Sequence, residues 1–251
     1  FYHPPGESAN TQAEYQSIAD TRIELMDIPL LPADSVENAY LYAACCGLHE
    51  NWRGAALFRA DSQEGEYARI ADTPTTSAIG ATLDALPTGA HCVFDEVNTL
   101  TVSFINLVEL SSATASAVLN GANAALVGNE IIQFTTATLL EPGKYQLSGL
   151  LRGRLGTEYA MSGHTAGERF ILLDGTLARI PVAPSLFHLA RSYKAVSIGA
   201  TLDATAPQAF TYHAQSLKPY APAHINATRD MSGNIAIQWV RRSRKGSWQD
   251  N

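Results

Sequence analysis

A chain of 251 residues and 26.9 kDa is long enough to bury a core without a disulfide or metal staple, which excludes small stapled scaffolds. Hydrophobic residues make up 46% and charged residues only 16%, against about 25% charged in ordinary globular chains, so the composition is that of a folded body. The net charge of −7 repels phosphate backbones and no run approaches the roughly 20 apolar residues of a bilayer span, so neither direct nucleic-acid binding nor membrane insertion is expected.

The opening Phe1-Tyr2-His3-Pro4-Pro5-Gly6 has no basic region leading into an apolar one, and it does not begin with Met. The chain is therefore expected to be a piece of something longer. Residues 1–22 are polar and proline-bearing and read as a linker or an incomplete element. From Ile23 onward, short runs bounded by Gly, Pro, Asn and Asp recur at intervals of about ten residues, the rhythm of an all-β chain. Val36 to Cys46 fits an Ala-rich helix and a strand equally well. In a strand, Cys45 and Cys46 would face opposite ways. With Cys92 they make three cysteines that cannot all pair within one chain, and all three read as small buried hydrophobes in a reducing compartment.

Between Ser111 and Phe134 the dipeptides Asn120-Gly121 and Gly128-Asn129 suit two-residue hairpin turns, which predicts a three-stranded meander. Glu141-Pro142-Gly143-Lys144 turns the chain into a strand on which Tyr145, Leu147, Gly149 and Leu151 share a face. Asp174-Gly175 closes a strand over Phe170 to Leu173. The seven residues Ile79 to Ala85 recur as Ile198 to Ala204, but their flanks differ, so they read as two strand ends reusing similar turn chemistry rather than a repeat array. After Pro219 and Pro222, alternation at Ile225 and Ala227, a Gly233-Asn234 turn and alternation at Ile235, Ile237 and Trp239 resemble the first two strands of a fibronectin type III sandwich. The expected organisation is two antiparallel β-sandwich or barrel-like domains with little helix, over 23–98 and 99–218, followed by an incomplete fibronectin type III-like segment over 219–251.

Catalytic signatures are hard to find. There is no Gly-x-Ser-x-Gly elbow, Walker loop, Gly-x-Gly-x-x-Gly or His-Glu-x-x-His, and Gly149, Gly153 and Gly156 are spaced wrongly for a dinucleotide turn. The histidines are scattered singly without metal-ligand spacing, so no catalytic, cofactor or metal residue is assigned. Carboxylates such as Asp84, Asp95, Glu96 and Asp203 read as turn or surface groups. Asn226-Ala227-Thr228 is a formal glycosylation sequon that reads as strand sequence.

The most unusual stretch is Leu150 to Glu158. Two arginines flank a glycine directly after a strand, and their guanidinium forks could satisfy loop carbonyls or a carboxylate such as Glu158. The alternative is that Arg152, Arg154 and Glu158 contact an anionic ligand or a partner. The basic tail, Arg241, Arg242, Arg244 and Lys245, reads first as a solvated strand face and second as a contact patch.

Six segments then carry a family resemblance: Leu25 to Leu31, Trp52 to Phe58, Leu119 to Asn123, Gly128 to Phe134, Leu150 to Glu158 and Trp239 to Arg244. In that order, over about 220 residues, they resemble the C-terminal part of the large tail-tip or baseplate hub protein of siphophages and gene transfer agents. The resemblance implies a non-enzymatic phage or prophage virion component at the tail tip, built in the bacterial cytoplasm and working in tail assembly and host attachment. It implies other tail or baseplate proteins as partners and no cofactor. The alternative is a host-surface glycan-binding module in which Trp52, Tyr67 and Tyr159 stack on sugar faces, and a cell-wall glycoside hydrolase is a more distant third.

Overall fold

A computed structural model describes residues 20–242. Residues 1–19 of the linker expected over 1–22, and Arg244 and Lys245 of the basic tail, lie outside the described residues, whereas Thr21 and Arg22 belong to the first strand and not to a linker. The architecture is all-β, as expected, with every strand pairing antiparallel.

The organising strand is β2 (Tyr40–Gly47), which settles the ambiguity over Val36 to Cys46 in favour of a strand. Its side chains alternate between two buried cores: Leu41, Ala43 and Cys45 on one face, and Tyr42, Ala44 and Cys46 on the other. A strand buried on both faces is apolar throughout and shows no period of two, which is why periodicity could not separate it from a helix. Strand β1 (Thr21–Met26) pairs along one edge of β2, and the other edge takes a strand from much later in the chain, Ala178–Pro181.

Strands β3 (Ala55–Ala60) and β4 (Ala68–Thr73) pair with each other. Leu57 of β3 packs in the same core as Leu41 and Ala43, so this sheet faces the first as the second layer of a sandwich. Next come β5 (Ile79–Thr82), β6 (Phe94–Asp95) and β7 (Leu100–Phe104), then helix α1 (Ala115–Leu119), β8 (Ala124–Val127), β9 (Glu130–Glu141), β10 (Lys144–Leu151) and β11 (Arg169–Leu172). Strands β10, β7, β5, β11, β8 and β9 follow one another edge to edge, and β9 pairs back onto β10, so six strands close into a barrel. Its interior holds Leu100, Val102, Phe134, Leu147, Leu150 and Phe170. The chain then returns to the sandwich as β12 (Ala178–Pro181), β13 (Ala190–Ser197) and β14 (Gln208–Thr211).

The boundary expected near residue 98 therefore does not separate the sheets. Strand β5, from before it, pairs with β7 and β11, from after it, while β12 pairs with β2 and β13 with β3. The barrel is inserted into the sandwich, and a core containing Met26, Tyr42, Ile79, Leu126 and Ile171 joins the two. Local turn signals carry no information about pairing across more than a hundred residues, so a nested arrangement reads from sequence as a simple succession.

Two local expectations also change. The first strand of the expected meander, Ala117 to Leu119, is α1: Thr114 Oγ1 accepts the Ala117 N–H at its start, and Gly121, at φ 104°, ends it. Alanine and leucine favour the helix once a Thr cap is available, so Asn120-Gly121 terminates a helix rather than turning a hairpin. The Gly128-Asn129 hairpin forms as expected, with Val127 opposite Glu130 and Gly128 at φ 57°. The seven-residue identity is not reused in one way, because Ile79 to Thr82 is strand β5 whereas Ile198 to Ala204 lies in turns after β13.

Beyond the sandwich, β15 (Ala223–Arg229) and β16 (Ile235–Val240) pair as a two-stranded ribbon. Ile225, Ile235, Ile237 and Trp239 on it are exposed.

Two of the three cysteines are buried, whereas Cys92 is exposed, against expectation. Burial pushes the Cys45 thiol up to about 12 and the Cys46 thiol to about 11, so neither supplies appreciable thiolate near neutral pH. Titration of the native chain with a disulfide reagent should modify Cys92 alone, with Cys45 and Cys46 following only on denaturation. Rapid reaction of all three in the native state would contradict the packing of β2.

Candidate functional site

Where the barrel meets the loop after β10, charged side chains are buried together. Arg152 and Glu130 are fully buried and form a bidentate pair: Arg152 Nε donates to Glu130 Oε1 at 2.9 Å and Nη2 to Oε2 at 2.8 Å. Arg152 also donates to the carbonyls of Pro87 (2.8 Å) and Met161 (3.3 Å), and its Nη1 lies 3.9 Å from Asp95 Oδ2. The Gly153 N–H donates to Glu130 Oε1 at 2.7 Å. Such a pair is tolerated in the interior because nearly every donor and acceptor of both groups is engaged.

His164 extends the chain. Its Nε2 lies 2.8 Å from Glu130 Oε2 and its Nδ1 2.6 Å from Glu168 Oε2, so the ring can donate to both carboxylates only as imidazolium. Glu168 also accepts the Thr165 N–H at 3.2 Å. The result is a line of bonded polar groups, Asp95, Arg152, Glu130, His164 and Glu168, that ties β6, β9, the corner after β10 and the loop before β11 into one unit.

At the Asp95 end, burial by itself would raise the carboxyl, but donors from Asn98 and Val97, together with the Arg152 guanidinium, outweigh it and hold the group below its ordinary value. A carboxylate depressed in the folded state contributes stability in full above its unfolded value of 3.8, and that stability is lost as pH falls through the lower folded value. Asp95→Asn should therefore flatten the acid limb of a melting-temperature profile. An unchanged limb would show that Asp95 is not held in this way.

The arginines flanking Gly153 part company. Arg152 turns inward to Glu130, not to Glu158, as just described. Glu158 instead accepts from Arg242 Nη2 at 2.6 Å, and the Arg242 guanidinium lies 5.2 Å from the Tyr220 ring centre. One member of the expected solvated basic tail is therefore tied back to the body. Arg154 turns outward and donates to Gln133 Oε1 at 2.7 Å, while the Gln133 amide donates to the carbonyls of Val118 and Ala122 below α1. The backbone around Arg154 is left-handed at Gly153 (φ 59°), Leu155 (φ 55°) and Gly156 (φ 86°). At Leu155, which lacks glycine's freedom, this costs about 1–3 kcal/mol. Strain at a non-glycine residue marks a position whose geometry is fixed by its surroundings.

Two clefts border this corner. The first, of about 390 Å³, opens between the barrel and the sandwich, with Leu31, Ile131 and Leu173 among its walls and Arg154 and Arg179 on its rim. The second, of about 470 Å³, is more polar and is bordered by Asn129, Tyr159, Ser162, His164 and Glu168.

The three expected sugar-stacking rings are not brought together. Trp52 packs against the sandwich core and donates Nε1–H to Thr21 Oγ1 at 2.8 Å. Tyr67 shares a hydrogen bond with Ser192 at 2.7 Å, and Lys194 Nζ stands over its ring. Tyr159 is 69% exposed, at the edge of the polar cleft. The histidines are not all isolated either: His188 and His213 approach Nδ1 to Nδ1 at 3.2 Å, although no group of three or more metal-ligating side chains occurs among the described residues. Asp95 does take a turn role, accepting the Val97 and Asn98 N–H groups, whereas Asp84 accepts the Thr101 N–H from a strand 17 residues on.

Residues 77–171 match a protein-family model described as Rcc01698-like, C-terminal. That span opens just before β5 and ends within β11, so it coincides with the barrel and includes Glu130, Arg152, His164 and Glu168. No curated protein matches the chain.

Proposed function

We propose that this chain is a rigid structural part of a phage-type or gene transfer agent tail tip, acting in tail assembly and host attachment without a reaction of its own. The observation that carries the reading is where the resemblance motifs fall. Gly128 to Phe134 and Leu150 to Glu158 build the buried Arg152–Glu130 pair and the corner around it, so the motifs lie in the segments that lock the barrel. The charged groups there bond one another and fix the architecture. The exposed apolar side chains of the β15–β16 ribbon offer a surface of the kind that partner polypeptides cover. Cryo-electron microscopy of tailed particles carrying the full-length parent should place this barrel at the distal end of the tail tube. Its absence from purified particles, or clearing of peptidoglycan by the isolated chain, would overturn the proposal.

A second reading, a glycan-binding module, keeps one of its three rings. Tyr159 is exposed beside Asn129 and Ser162, the mixture of aromatic face and polar side chains that binds sugars. A glycan array should show binding lost in Tyr159→Ala if this reading holds, and no binder at all if it does not.

A further inference from the structure

We infer that the cleft between barrel and sandwich is a binding site for a single carboxylate carried on a short apolar body. This inference is independent of the tail-tip reading. The cleft is lined mainly by apolar side chains, including Leu31, Ile131 and Leu173. Two guanidiniums reach it, and they differ in their compensation. Arg179 is neutralised by Asp34, whose Oδ1 accepts from Nε at 2.7 Å, and it also donates to the Leu177 carbonyl. Arg154 is half-buried and has no acidic partner among the described residues. Its Nε–H is held by the neutral amide of Gln133, which aims the fork while leaving its charge unmatched.

The remaining charge of the cleft is thus +1, in a chain whose net charge is −7. One planar cation beside apolar walls matches one carboxylate with an apolar stem: the fork takes the two oxygens and the walls take the stem. The volume of about 390 Å³ lies in the range of small-ligand sites. The left-handed backbone on both sides of Arg154 holds the arginine in place before any ligand arrives. Free aliphatic acids and the C-terminal residue of a polypeptide share this chemistry.

The test is a nuclear magnetic resonance titration of the intact chain with hexanoate, N-acetyl-leucine and a short peptide ending in leucine. N-acetyl-leucinamide serves as the uncharged control and inorganic phosphate as the control for anions without an apolar stem. Saturable shifts should appear at Gly121, Arg154 and Leu155 with the carboxylates and not with the controls. Affinity should fall about tenfold or more in Arg154→Gln, partly recover in Arg154→Lys, and stay unchanged in Tyr159→Phe, with each variant's spectrum confirming its fold. Tighter binding of the peptide would identify a polypeptide terminus, and tighter binding of hexanoate a free acid. Shifts with phosphate or the amide that match those with the carboxylates, or no shift at the cleft with any probe, would overturn the inference.

Discussion

Replacing Arg152 by methionine should cost about 3–5 kcal/mol of folding stability, because it strands a fully buried carboxylate. Glu130 would keep its bonds from Gly153 and His164 but lose both guanidinium donors, and its charge cannot reach water. At about 2–4 °C per kcal/mol for a body of this size, the melting temperature should fall by about 6–20 °C. The double variant Arg152→Met, Glu130→Gln should recover much of the loss, since a neutral amide oxygen can still accept from Gly153 and the carboxylate stranded without its guanidinium donors is gone. The exposed pair Arg69–Asp72 provides the contrast, and Arg69→Ala should cost at most about 1 kcal/mol. Urea unfolding followed by circular dichroism separates these outcomes. An Arg152→Met variant within about 1 kcal/mol of the parent would mean that the buried pair does not hold the corner.

That pair shows how far the sequence is legible. Arg152 stood out as one of two arginines beside a glycine, and its carbonyl-binding role was foreseeable, but its carboxylate was not. Glu130 lies 22 residues upstream in a hairpin that announced itself only by Gly128-Asn129. His164 and Glu168 are four residues apart, a spacing that has meaning on a helix, yet here they sit in a loop and meet because β9 passes beneath them. Strands and most turns are written in local chemistry, as at Pro142-Gly143 and Gly128-Asn129. The closure of the barrel, its insertion into the sandwich and the buried line of polar groups depend on contacts between distant segments, which no local pattern encodes. The burial of Cys45 and Cys46 on opposite faces of β2 was legible because alternation within a strand is itself local.

The same distinction between local pattern and distant pairing decides the effect of changing Gly149. Simple alternation placed Tyr145, Leu147, Gly149 and Leu151 on one face, but Leu150, not Leu151, joins Leu147 in the barrel core. Opposite them, Phe134 and Ala137 of β9 pack into that core, paired with Leu150 and Leu147 respectively. Both strands therefore change face together between these two pairs, which bends the ribbon without shifting its register. Gly149 makes this possible: its φ is 61°, and a Cβ there would lie 2.0 Å from Thr135 Oγ1, which donates to the Ser148 carbonyl at 3.3 Å. Gly149→Ala adds a left-handed penalty of about 1–2 kcal/mol to an overpacking cost of about 1–3 kcal/mol, so a loss of about 3 kcal/mol is expected. Adding Thr135→Ala should relieve the overpacking and leave the backbone penalty, so the double variant should sit about 1–2 kcal/mol below Thr135→Ala alone. Equal losses for Gly149→Ala with and without Thr135 would locate the whole cost in the backbone. A loss below about 0.5 kcal/mol would remove the face change as the reason glycine stands in the middle of β10.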